Sequence, residues 1–224
     1  MIPVSPGASL PVVVYHTSTI NSDLLKEPST SLYTKSKLNQ YGLSPEAFEY
    51  AWKGYQHLLK NNKIKLSRFL SVCDFSQPSS QKRLYIIDVE TEELIINTYV
   101  AHGKNSGGDY ASNFSNKPES LQSSLGFYVT GETYTGKHGL SLRVHGVDPG
   151  YNEKAYLRTI VIHGAAYVDE QRARHGVLMG RSFGCPAVPQ KESAHIISTI
   201  KNGTCLFIYH PGKNYLSGSK ILND

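Results

Sequence analysis

No stretch of this chain approaches the ~20 consecutive apolar residues that a membrane-crossing helix needs. The longest apolar runs, such as "LFIY" and "PVVVY", are strand-sized. Lysine and arginine never occur more than two in a row, so the formal charge of +5 and the pI near 9.0 are diffuse. That balance does not make the basic stripe of a nucleic-acid binder. It suits an anionic polymer or a membrane surface without choosing between them. Metal-ligating patterns are missing too: there is no His-Glu-x-x-His, no paired Cys-x-x-Cys and no His-x-His, so no metal and no cofactor is expected. The first ten residues, "MIPVSPGASL", lack the charged start and apolar centre of an export signal. The chain therefore reads either as cytosolic or as having lost a targeting segment. No internal repeat is visible. Cysteine is scarce: there are three, an odd number, so at least one is unpaired within the chain.

What is present fits one sizeable domain in 224 residues, 39% of them apolar. Residues 1–43 are rich in Ser, Thr, Asn and Pro and read as a partly ordered leader, with one strand candidate at Val12–Tyr15. Residues 44–66 read as a helical segment packed on the domain. Ser44 can cap that helix, Pro45 suits its first position, and Phe48, Ala51, Trp52, Tyr55, Leu58 and Leu59 recur at helical spacing. From residue 67 the apolar period becomes two. "RFLSVCDF", the two arms of "RLYIIDVETEELIINTYVAHG", "LGFYVTG", "LSLRVHGV", "RTIVIHGAAYV" and "TCLFIYHPG" read as strands, and "VPQKESAHIISTIKNG" as a short helix. The sum is a mainly β (α+β) domain with an antiparallel sheet, spanning residues 67–224.

Cys73 and Cys205 sit in strand patterns and read as core thiols, with a disulfide between them open only in an oxidising compartment. Cys185 differs. It lies in "GRSFGCPAVP", where Gly184 permits a sharp bend and Pro186 keeps Cys185 out of the helical region. A thiol on a stiff turn among small residues can be a nucleophile with room for a substrate carbonyl, or simply a buried thiol; the turn alone does not decide. His163 ends the strand "TIVIHG", a rigid place for a general base, and His145 ends the similar "LSLRVHG".

The segment "VIHGAAYV…RHGVLMGRSFGCPAVP" resembles the signature of the murein L,D-transpeptidase catalytic-domain family, a branch of the YkuD-type fold: His-Gly, about twenty residues, then Ser-x-Gly-Cys. "KRLYIIDVETEELIINTYVAHGKNSGG" and "SLGFYVTGETYTGKHGLSLRVHG" extend the likeness over roughly residues 68–210. The resemblance implies a YkuD-type antiparallel β-sandwich or barrel-like domain with a few helices. It implies Cys185 as nucleophile and His163 as base, with Ser182 and Gly184 completing the catalytic turn. The substrate would be a peptidoglycan stem peptide and the reaction L,D-transpeptidation, outside the cytoplasmic membrane, in the periplasm or cell envelope. Hydrolysis of the same bond, or peptidoglycan binding without catalysis, are the alternatives. Two family positions differ: Phe183 stands where many relatives carry His, and Pro186-Ala187 replace Ile/Val-Arg. His145 is then the candidate for the missing imidazole, and Arg143 or Arg181 for the carboxylate-binding arginine; Arg181 can equally serve a structural pair. Phe183, Gly164 and Tyr134 complete the expected substrate contacts, with Lys137 beside them, and the polar loop Asn105–Ser123 would flank the cleft. Nothing in the sequence sets the oligomeric state; a monomer is the working expectation.

Overall fold

The computed structural model describes residues 28–176 and 179–224. The strand candidate at Val12–Tyr15 lies outside them. The first helices are α1 (Ser29–Lys35), a 3-10 turn (Leu38–Tyr41) and α2 (Pro45–Lys60). Eight strands follow: β1 (Phe69–Asp74), β2 (Leu84–Asp88), β3 (Glu93–Thr98), β4 (Gly126–Gly136), β5 (Gly139–Gly146), β6 (Val161–Ala165), β7 (Ala187–Pro189) and β8 (Cys205–Tyr209). Helix α3 (Glu170–Arg174) lies between β6 and β7, α4 (Ser193–Ile200) between β7 and β8, and α5 (Lys213–Gly218) and α6 (Lys220–Asn223) after β8.

The strands form one sheet in the order β3-β2-β1-β8-β4-β5-β6-β7. Most pairs are antiparallel, as the alternating patterns suggested, but β1–β8 and β6–β7 run parallel. Beyond β3 the chain crosses to the far edge, where Ala101 bridges Ala187 and Gly103 bridges Ser182. The sheet is therefore nearly closed, a barrel-like mainly β domain with a few helices, as the YkuD-type resemblance implied.

Helix α2 forms where its caps and spacing put it. Ser44 Oγ accepts from Ala47 N at 3.3 Å, Pro45 opens the first turn, and the apolar stripe from Phe48 to Leu59 is buried. Burying each large side chain of that stripe contributes about 1.5–3 kcal/mol. Gly54 lets the helix approach the sheet: a Cβ there would fall 1.9 Å from the Phe127 ring, itself stacked on Phe207 at 4.1 Å. Residues 28–43 join this packing from the other side. Leu32, Leu38 and Leu43 are buried, and Ser36 Oγ donates to Glu92 O at 2.7 Å. Cys73 and Cys205 are buried free thiols, and β1 pairs Cys205 with Leu70 and Cys73 with Ile208.

One polar knot fixes the long connection from β5 to β6. Buried Asp148 accepts from Phe127 N at 2.9 Å, Tyr215 Oη at 2.8 Å and Ser219 Oγ at 2.6 Å. Asn152 donates to Leu125 O and Phe127 O. The C-terminal helices and the β4 backbone thus hold the start of the segment that carries Tyr156, Arg158 and Thr159.

Candidate active site

Register decides which side chains share a face. Tyr134 pairs with Ser141, Ser141 with His163, and His163 with Ala187, a row across β4, β5, β6 and β7. Residues two apart repeat the face. Arg143 pairs with Val161 in the next row. Cys185 itself lies in the bend just before β7, two residues from the Ala187 that pairs with His163. The opposite face carries Leu142, Ile162 and Val188, all buried, toward α4, whose Ile196, Ile197 and Ile200 are buried.

The Cys185 turn is held from within. Ser182 Oγ donates to Cys185 O at 2.6 Å and accepts from Gly184 N at 3.1 Å. Gly184 adopts φ +122°, and a Cβ there would lie 2.8 Å from Gln122 O. A side chain is excluded by conformation and by space together. Phe183 projects from the turn and is exposed. Cys185 is half-buried, and its Sγ faces Thr159 O at 3.9 Å. Burial pushes its pKa above the ordinary thiol value; the Val161 N–H and the charges of Arg158 and Lys137 pull the other way. Thr159 is a β-branched residue at φ +54°, a conformation that costs about 1–2 kcal/mol, and it sits directly against the thiol.

His163 is buried. Its Nδ1 lies 3.0 Å from Gly164 O, so Nδ1 carries the proton and Nε2 is the basic nitrogen. A Cβ on Gly164 would strike Ser193 Oγ at 2.6 Å, so the backbone presenting that carbonyl is tightly seated. His138, in the β4–β5 turn, stacks on His163 with centroids 4.3 Å apart. Burial lowers the His163 pKa; Gly164 opposes it, and the charges of His138 and Lys137 add to it. At rest the pair is thus a neutral thiol and a neutral imidazole. A groove of about 460 Å³ opens next to His163, lined by its neighbour Gly164, its stacking partner His138, and Lys137, Tyr167 and Gln190.

Three of the expected substrate residues come together through a fourth that the sequence reading did not single out. The Arg143 guanidinium lies 4.6 Å over the Tyr134 ring and 5.6 Å over the Tyr156 ring. Tyr156 also stacks on His145 at 5.6 Å. Arg143 Nε forms an ion pair with Glu132 at 2.8 Å. His145 therefore belongs to this stack, whereas the ring against His163 is His138. The segment "GETYTGKHG" is the end of β4 and its hairpin turn, and this is how Tyr134 and His138 acquire fixed places.

Arg181 does not join them. Its Nε donates to Gly108 O, Nη1 to Met179 O at 2.6 Å and Gly180 O at 2.9 Å, and Nη2 to Ser79 Oγ at 3.1 Å and Gly108 O. All five N–H donors are spent within the protein. Of the two arginines proposed for a carboxylate, this one is structural, because nothing of its fork remains for a ligand.

The family of the L,D-transpeptidase catalytic domain matches residues 39–209. The chain belongs to that family. No curated protein sequence matches it. Solved structures that resemble it include an L,D-transpeptidase from Mycobacterium smegmatis, at 12% identity and a TM-score of 0.40 over 64% of this chain and 59% of that one. LD transpeptidase LdtMt1 in complex with imipenem gives 11% identity and a TM-score of 0.39, over 63% and 59%. The helical cell shape determining protein Pgp2 from Campylobacter jejuni gives 14% and 0.38, over 65% and 49%. This chain thus spans less than two thirds of each of those relatives. Among the described residues no group of His, Cys, Asp and Glu could hold a metal ion, and no helix is long and apolar enough to cross a membrane.

Proposed function

We propose that this member of the family is a cysteine L,D-transpeptidase acting on peptidoglycan stem peptides in the cell envelope. What supports the reading is the pairing of β6, which carries His163, with β7, which directly follows the Cys185 turn: that turn tolerates no side chain at Gly184, and His163 Nδ1 is tied to Gly164 O.

The steps follow from the neutral pair. As Cys185 Sγ attacks the carbonyl of the third stem residue, its proton passes to His163 Nε2. The carbonyl oxygen becomes an oxyanion. The Gly184 N–H is already engaged by Ser182 Oγ, so we assign the oxyanion to the Cys185 N–H; a lost donor of this kind costs about 3–4 kcal/mol in acyl transfer. Collapse breaks the C–N bond, and the imidazolium returns its proton to the leaving D-alanine amine. The thioester then acylates an amine of a neighbouring stem, or water in a hydrolytic variant of the same reaction. Arg143, backed by Tyr134 and Tyr156, offers its outer nitrogens to a substrate carboxylate.

The test is acylation by a carbapenem, whose strained lactam opens on a nucleophilic thiol, followed by mass spectrometry. A single adduct on Cys185, lost in Cys185→Ser and slowed in His163→Ala, supports the reading. An unmodified Cys185 in folded protein overturns it in favour of a binding role. Digests of cell-wall fragments then separate cross-linked product from simple loss of D-alanine.

A further inference from the structure

Arg158 lies in the connection from β5 to β6, immediately before Thr159. Its Nη1 donates to Ser115 O at 2.7 Å and to the Ser124 hydroxyl. Its Nη2 donates to Ser120 Oγ at 3.2 Å and to Gln122 O at 2.6 Å. Every one of these acceptors is neutral. Among the described residues no carboxylate pairs with it. The guanidinium is half-buried, and burial lowers its pKa. A charge withdrawn from water without a counter-charge is costly. Arg181 likewise holds its charge among neutral acceptors, so a clamp alone does not set Arg158 apart, and a functional reason for its charge has to come from its neighbourhood.

The neighbourhood supplies one. Arg158 Nη2 lies 3.2 Å from where a Cβ on Gly184 would stand, and Gln122 O, which it holds, lies 2.8 Å from the same point. Ser123 Oγ, in the same loop, donates to Gly184 O at 3.3 Å. The Arg158-bound loop is therefore the wall against which the residue preceding Cys185 rests. We propose that Arg158 is a positioning residue for Cys185, fixing the 115–124 wall against the Gly184 turn and placing an uncompensated positive charge beside the sulfur as it becomes a thiolate. Arg158 takes no proton; that goes to His163. The proposal rests on Cys185 being the nucleophile.

Other groups act on the thiol. The Val161 N–H comes from β6, Lys137 from the β4–β5 turn, and the Tyr167 phenol from beyond β6, where Cys185 adds to the burial that raises its pKa to about 12. Lys137 is exposed, so its charge is screened by water and salt. Arg158 is charged throughout the working range and partly shielded, and its field opposes the upward push of burial on the thiol.

The experiment is the pH dependence of Cys185 alkylation by iodoacetamide in the folded protein, read by mass spectrometry, with Tm recorded for every variant. Arg158→Gln should move the alkylation midpoint upward by about one pH unit and slow the rate at pH 7 by about tenfold. Arg158→Lys, which keeps the charge, should hold the midpoint near that of the parent even where Tm falls. Ser120→Asp leaves Arg158 in place and neutralises it, so it should raise the midpoint as Arg158→Gln does. An unchanged midpoint in folded Arg158→Gln overturns the proposal. If that variant does not fold, Ser120→Asp decides by the same criterion. A parent protein whose Cys185 resists alkylation at every pH instead overturns the nucleophile reading, a separate and recognisable failure.

Discussion

His138 lies face to face with His163, with ring centroids 4.3 Å apart and planes 22° from parallel. A second imidazole so close disfavours a proton on the first, and Lys137 acts in the same sense. Burial, the larger cause, works in the same direction, so the His163 pKa lies below the ordinary imidazole value. His138→Phe keeps a flat ring over His163 and removes the charge. The His163 pKa should then rise, and the acid limb of the turnover profile should move to higher pH. The measurement is D-alanine release from a stem peptide between pH 5 and pH 8. The ratio of the rate at pH 5.5 to that at pH 7.5 should fall in His138→Phe and in Lys137→Met. An unchanged ratio would leave the stack a packing contact only.

Two arginines of similar standing in the sequence should respond differently. Arg143→Ala removes a partly exposed ion pair and two ring contacts, together worth roughly 1–2 kcal/mol in stability. If its outer nitrogens take the substrate carboxylate, KM should rise about tenfold or more with only a modest fall in Tm. Arg181→Ala removes five hydrogen bonds and leaves the carbonyls of Gly108, Met179 and Gly180 without that donor. At about 1 kcal/mol per net bond, discounted for water reaching the site, a loss of roughly 2–4 kcal/mol is expected in urea unfolding. A large KM effect in folded Arg181→Ala would reverse the assignment.

The contrast shows what a linear sequence carries. The caps and stripe of α2, the hairpin of β2 and β3, and the glycine before Cys185 are local patterns, each set by residues within a few positions of one another. The strands holding His163 and His145 were legible for the same reason. Arg158 was not, because its acceptors at Ser115, Ser120 and Gln122 lie 36 to 43 residues away and nothing near it marks a partner. Tyr156 was hidden likewise: it matters only once β5 places His145 and Arg143 against it. The parallel pairing of β1 with β8 brings together the first and last strands of the sheet's sequence order, a long-range event that alternation cannot express. Residues 28–43 looked leader-like by composition, yet a few leucines suffice to anchor them.

Buried His102 joins this face to the core, since Ser182 N donates to its carbonyl at 3.2 Å. Its Nδ1 accepts from Arg83 Nη2 at 2.8 Å, which places the ring proton on Nε2, facing Gly107 O at 3.3 Å. Burial first, then the charges of Arg83 and Arg181, push its pKa down to about 3. The unfolded chain binds a proton at this residue below about pH 6.5, and the folded chain does not until near pH 3, so stability falls as pH drops through that window. Each pH unit is worth about 1.4 kcal/mol, so going from pH 6.5 to pH 5 should cost about 2 kcal/mol from this residue. His102→Asn retains an acceptor for Arg83 and cannot titrate. Urea unfolding at the two pH values should show a smaller difference in the variant by about that amount.

Thr159 and Gly184 flank the thiol at positive φ, 54° and 122°, and they make opposite predictions. Gly184→Ala forces a methyl to within 2.8 Å of a backbone carbonyl in a conformation that alanine resists. It should destabilise the protein by about 1–3 kcal/mol and slow Cys185 alkylation by displacing the turn. Thr159 bears a branched side chain where asparagine is better tolerated. Thr159→Asn should therefore stabilise by about 0.5–1 kcal/mol, and its carbonyl remains to face the thiol. If strain at Thr159 does nothing for the site, Thr159→Asn keeps full turnover. If the strain holds Cys185 Sγ in its attacking position, turnover falls as Tm rises. Chemical unfolding and D-alanine release, measured on the same preparation, separate the two.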